Sequence, residues 1–113
     1  MRNLIPIVVA TALALLALPA AAGTTPAVKI GDNFFKPGKV TIQKGQKVVW
    51  RWKGSNPHNV ALKKPGSGNV SKRSAVKASG KFRYRFRKTG KWKVLCEIHP
   101  SSMRMKVVVK PRS

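Results

Sequence analysis

One thiol, two imidazoles, two carboxylates and two thioethers are nearly all the reactive groups this chain possesses: Cys96, His58, His99, Asp32, Glu97, Met103 and Met105. Four of them fall in one stretch, Cys96-Glu97-Ile98-His99-Pro100-Ser101-Ser102-Met103, while His58 lies far upstream in Pro57-His58-Asn59-Val60. A domain with one cysteine builds no internal disulfide, so Cys96 is free, joined to another chain, or a metal ligand. Two imidazoles and a thiolate in a plane, with a weak axial thioether, form a donor set that accommodates both oxidation states of copper. The thiolate and thioether suit Cu(I) and the imidazoles suit Cu(II), so electron transfer at such a site needs little rearrangement.

Other chemistries fare worse. Asp32 and Glu97 are distant in sequence and neither sits in an acidic motif. A pair of facing carboxylates or an oxygen cage for a hard cation is therefore not expected. A Cys–His hydrolase would need an orienting residue, an oxyanion site and a substrate cleft, and a domain this small offers no obvious place for them.

The elements that must position these groups read as strands. Val48, Trp50 and Trp52 alternate with Val49 and Arg51; Phe82, Tyr84 and Phe86 with Arg83 and Arg85. Trp92, Val94 and Cys96 share one face of a further strand, and Met105, Val107 and Val109 alternate with Lys106, Val108 and Lys110. Val28–Ile30 and Val40–Ile42 are short strand candidates between the turn signals Gly31-Asp32-Asn33, Pro37-Gly38 and Lys44-Gly45. Residues 53–79, rich in Gly, Pro, Ser and Lys, read as surface loop with a brief strand at Val60–Leu62. No long helical period and no internal repeat occur. The expected fold is all-β, an antiparallel Greek-key sandwich of about seven or eight strands. Its bulky residues form the core, and Lys and Arg face outward and blunt the sheet edges.

On these residues the chain resembles the cupredoxins, the small blue copper proteins such as plastocyanin, amicyanin and pseudoazurin. Asp32-Asn33-Phe34-Phe35 before Pro37, Val48-Val49-Trp50, Pro57-His58-Asn59-Val60, and Tyr84, Phe86, Gly90, Trp92 with Cys96-x-x-His99-Pro100 match the family in order and context, over roughly residues 28–110. The resemblance implies one copper ion held by His58, Cys96 and His99, with Met103 as axial ligand. It also implies a supporting role for Asn59, its backbone N–H reaching the Cys96 sulfur and its side chain tying the ligand loops together. Close relatives commonly place methionine three residues past the histidine and glycine two beyond that. Here the first position is Ser102 and Met103 comes one later, so that Met105, two beyond Met103, stands where the glycine is expected and is the rival to Met103; otherwise Met105 packs in the core with Val107 and Val109.

The first residues look like an export signal. Arg2 precedes the apolar run 4–18, and Ala20 and Ala22 fit a cleavage pattern, which places the cut after Ala22 and the mature single domain at 23–113. The run is shorter than the ~20 residues a spanning helix needs, so no transmembrane anchor is expected after cleavage, and the expected location is the periplasm or the extracellular side of the envelope. Against 24 Lys and Arg stand two acids, a formal net charge of +22. Such a balance favours anionic partners. The expectation is a monomeric one-electron shuttle, not an enzyme, serving acidic redox partners and meeting an anionic envelope surface. Copper carriage or storage on the same fold is the first alternative. A basic anion- or nucleic-acid-binding module is the second; its stacking platform would need exposed rings, and export argues against nucleic acid.

Overall fold

The computed structural model describes residues 24–113. The expected export segment lies outside the described residues. Nine strands and no helix occur among them: β1 (Ala27–Gly31), β2 (Phe34–Lys36), β3 (Lys39–Gln43), β4 (Lys47–Trp52), β5 (Ala61–Lys63), β6 (Val70–Arg73), β7 (Lys81–Arg85), β8 (Gly90–Leu95) and β9 (Arg104–Lys110). They form a four-stranded sheet, β2-β1-β4-β7, and a five-stranded sheet, β3-β9-β8-β5-β6.

The all-β sandwich is as expected, but it has nine strands and its sheets are mixed. β1 runs parallel to β4, and β3 parallel to β9. A strand's own side-chain pattern does not specify the direction of its neighbour, which is why alternation alone suggested an antiparallel fold. The additional strands are short: β2 lies in a segment dominated by turn signals, and β6 in the stretch read as loop. Three of the four β6 residues are exposed and Val70 is half-buried, so no alternation announces it.

The period-two faces close on one another as a core. Val28, Ile30, Val48, Trp50, Trp92 and Val107 are essentially inaccessible, and Phe86 is packed edge-on against Trp92 and Tyr84. The Trp50 indole N–H, fully buried, donates to Met105 Sδ at 3.4 Å. A buried N–H without an acceptor costs about 1–3 kcal/mol, so this contact aims the Met105 sulfur into the core. Trp50, Trp52, Trp92 and Phe86 are all buried, so these four rings do not offer the exposed faces that a nucleic-acid stacking platform would require.

Candidate metal centre

The two ligand-bearing loops meet at one end of the sandwich. Cys96 immediately follows β8, and its N–H donates to the Met103 carbonyl at 3.0 Å, closing the loop at its base. Inside the loop the His99 N–H donates to the Cys96 carbonyl, and the N–H groups of Ser102 and Met103 both donate to the His99 carbonyl. This tight return brings His99 back over Cys96, and it places Met103, fully buried, directly before β9. The extra residue between His99 and Met103 is absorbed in this turn.

His58 comes from the β4–β5 loop, which is held on three sides. Its N–H and C=O pair with Lys77 across 2.9 Å bonds, and the Trp52 indole N–H donates to its carbonyl at 3.1 Å. The third tie is Asp32 in the β1–β2 turn, whose Oδ1 accepts from the N–H groups of Ser55 and Asn56 at 2.7 and 2.9 Å. These bonds hold the Asp32 carboxyl below its ordinary pKa, Asn56 contributing most. Gly54 has to be glycine here, since a Cβ would collide with Asp32.

Together the loops bring His58, Cys96 and His99 into one cluster whose ligand atoms all lie within 4.8 Å of one another. Cys96 Sγ is 3.8 Å from His58 Nδ1 and 3.9 Å from His99 Nδ1. Atoms about 2.0–2.3 Å from one ion and spread about 120° apart are separated by roughly 3.5–4 Å, so the cluster fits a single metal in a trigonal plane. His58 and Cys96 are buried, whereas His99 is half-buried and reaches the surface. The other side of the His58 ring meets the β1–β2 turn: Gly31 is its backbone hydrogen-bond partner, and the Asn33 N–H lies 3.3 Å from Nε2. Burial, and then the neighbouring His99, push the His58 pKa below the usual imidazole value, with Asp32 and Gly31 opposing. His58 therefore favours the neutral form that a metal requires.

The Asn59 side chain joins the two ligand loops. Its Oδ1 accepts from the Glu97 N–H and its Nδ2 donates to Glu97 Oε1, both at 2.8 Å. Arg73, from the end of β6, completes the link with Nε and Nη2 on the two Glu97 oxygens at 2.8 and 3.0 Å. Arg73, then Asn59, holds the Glu97 carboxyl below its ordinary pKa. The expected tie between loops through the Asn59 side chain is present. The expected bond from the Asn59 N–H to Cys96 Sγ is not among the hydrogen bonds of the described residues; the groups at that range from the sulfur are the two imidazoles. Arg73, Ser74 and Lys77 were not singled out from the sequence. Ser74 receives the Val60 N–H on its hydroxyl at 2.9 Å, and all three come from the segment whose composition reads as loop.

Residues 23–110 match the family of copper-binding proteins described as plastocyanin/azurin. Comparison with curated proteins gives no match. Among solved structures, the fold is similar to a novel purple cupredoxin from Nitrosopumilus maritimus, with 24% identity, coverage of 75% of this chain and 99% of that one, and a TM-score of 0.66. A reduced amicyanin variant shares 26% identity over 80% of this chain and 86% of its own, at a TM-score of 0.62. The copper-containing nitrite reductase of Thermus scotoductus aligns with 85% of this chain at 18% identity and a TM-score of 0.64, but over only 26% of its own length. The fold, the converging thiol and imidazoles and the family match agree, and the chain belongs to the plastocyanin/azurin family of copper-binding proteins.

Proposed function

We propose that His58 Nδ1, Cys96 Sγ and His99 Nδ1 hold one copper ion with Met103 as a long axial ligand, and that the protein shuttles single electrons outside the cytoplasm without turning over a substrate. Bound copper would supply the one-electron couple. The observation that carries this reading is a buried thiol with two imidazole nitrogens at 3.8 and 3.9 Å, on loops cross-tied by Asn59, Glu97 and Asp32. Such ties keep the donors in one arrangement in both oxidation states, which suits electron transfer better than release of the ion. Met103 is preferred to Met105 because the Met105 sulfur is engaged by Trp50. Residues 1–22 act in this reading as an export signal.

His99 is the exit. It is the ligand residue that reaches the surface, and the exposed large apolar side chains among the described residues are Phe34, at the start of β2, and Val76 and Ile98, on loops, each next to a residue of the site. Phe34 follows Asn33, which contacts His58; Val76 precedes Lys77, which pairs with His58; Ile98 adjoins His99. An apolar rim allows close, weak docking, while the net positive charge speeds encounter with an acidic redox partner. Voltammetry of the copper-loaded monomer tests the reading. A reversible one-electron couple, with copper retained through repeated cycles in the presence of a Cu(I) chelator, is expected. Loss of the ion on reduction would contradict it and favour carriage.

A further inference from the structure

The cations on the sheet faces are not scattered. In the five-stranded sheet, Lys39 of β3 stands directly opposite Lys106 of β9, Lys106 opposite Lys93 of β8, and Lys93 opposite Lys63 of β5. Four lysines therefore form one row running across four strands. With strands about 4.8 Å apart, the row is about 14 Å long. Lys39, Lys93 and Lys106 are exposed and Lys63 is half-buried. None of them has an ion-pair partner among the described residues. The one ion pair there is Arg73–Glu97, at the margin of this sheet, and Asp32 faces the other ligand loop. Like charges placed directly opposite across strands destabilise a sheet, so this row costs stability that a soluble surface does not require.

A groove of about 580 Å³ lies beside three of the four, Lys39, Lys93 and Lys106, with Gly38, Leu95 and Arg104 also in its lining. No carboxylate lines it. We infer that this groove binds a linear phosphate-bearing polymer laid across the strands, with the lysine row paired to phosphates spaced along it. This inference is independent of the electron-transfer reading, because the groove is on a sheet face and contains no proposed ligand.

Three features select this occupant. Lysine presents a point charge instead of the fork that matches a carboxylate in two contacts, so the row reads charge spacing along a chain. A flat anionic membrane could reach one sheet face only, yet the other sheet carries its own row, Lys36, Lys29, Arg51 and Lys81, across β2, β1, β4 and β7. Polymer strands can engage both faces. A nucleic acid strand would gain from ring stacking, but the one aromatic residue in the five strands of the grooved sheet is Trp92, which is turned into the core and 1% exposed.

The test uses the copper-loaded protein and long-chain inorganic polyphosphate, with affinity measured across a salt series. A variant carrying Lys39→Gln, Lys63→Gln, Lys93→Gln and Lys106→Gln is compared with one of equal charge carrying Lys44→Gln, Lys53→Gln, Arg87→Gln and Lys88→Gln. Each phosphate contact on a single strand contributes about 0.7 to the slope of log affinity against log salt. The row variant should lose about 3 from that slope and the control variant much less. Without polymer, the row variant should melt higher than the control at low salt. Equal loss of slope in both variants would overturn the proposal, leaving net charge alone. Tighter binding to single-stranded DNA than to polyphosphate, or row-dependent capture by phosphatidylglycerol vesicles without row-dependent polyphosphate binding, would also overturn it, in favour of a nucleic acid or a membrane.

Discussion

The loop end of this molecule and its sheet faces handle charge in opposite ways. At the loop end, both carboxylates of the chain are committed to named partners: Asp32 to the backbone ahead of His58, Glu97 to Asn59 and Arg73. On the sheet faces, lysines and arginines stand in rows with no carboxylate opposite them. Two acids among 24 cations would have little effect as general neutralisers of a surface. Placed across loop junctions, they fix the geometry of three ligand residues. The contrast teaches that the acids serve local architecture here, while the cations serve the long-range field.

The largest effect should come from beneath both regions. Trp50→Ala removes a fully buried ring and leaves Met105 without its donor, and should cost about 3–5 kcal/mol in denaturant unfolding. A loss under 1 kcal/mol would mean that the two sheets are not joined through this residue.

Glu97→Ala separates the regions more sharply. It deprives Asn59 and Arg73 of their acceptor at once and should cost about 1–3 kcal/mol, whereas Arg73→Ala, which removes only the solvent-exposed partner, should cost clearly less. The pH dependence follows from the lowered pKa of Glu97. A carboxyl whose folded pKa is depressed contributes stability that is fully present above its unfolded value of about 4.3, and loses it as pH falls through the folded value. Unfolding midpoints should therefore drop in acid, and Glu97→Gln should flatten part of that drop. Replacing a lysine of either row should leave the acid limb unchanged.

A smaller effect separates the two methionines. Met103→Leu should raise the reduction potential while costing less than about 1.5 kcal/mol, since the volumes are similar. Met105→Leu should leave the potential nearly unchanged and act only on stability, through the lost Trp50 contact. The reverse pattern would move the axial role to Met105.

What was legible in the sequence follows from what local pattern can carry. Cys96, His99 and Met103 share one short segment, and His58 and Asn59 stand in their own motif, so the convergence of His58, Cys96 and His99 and the proposed donor set could be read before any fold was known. Trp50, Trp92 and Val107 announced their buried faces by alternation. The supports were less visible. Arg73 and Ser74 come from a lysine- and serine-rich stretch with no apolar period, and reach the site only because β6 pairs with β5. The Lys77–His58 bridge uses backbone groups, which any residue type supplies. The parallel pairings and the lysine row likewise arise from register between distant strands, which no single segment encodes.

The central claim is that Cys96, His58 and His99 act as one copper site. Titration of the metal-free protein with Cu(II), followed by visible absorption, tests it most directly. The account predicts an intense thiolate-to-copper band that saturates at one equivalent and is absent in Cys96→Ala and His58→Ala. A colourless complex, or a band that survives Cys96→Ala, would contradict it.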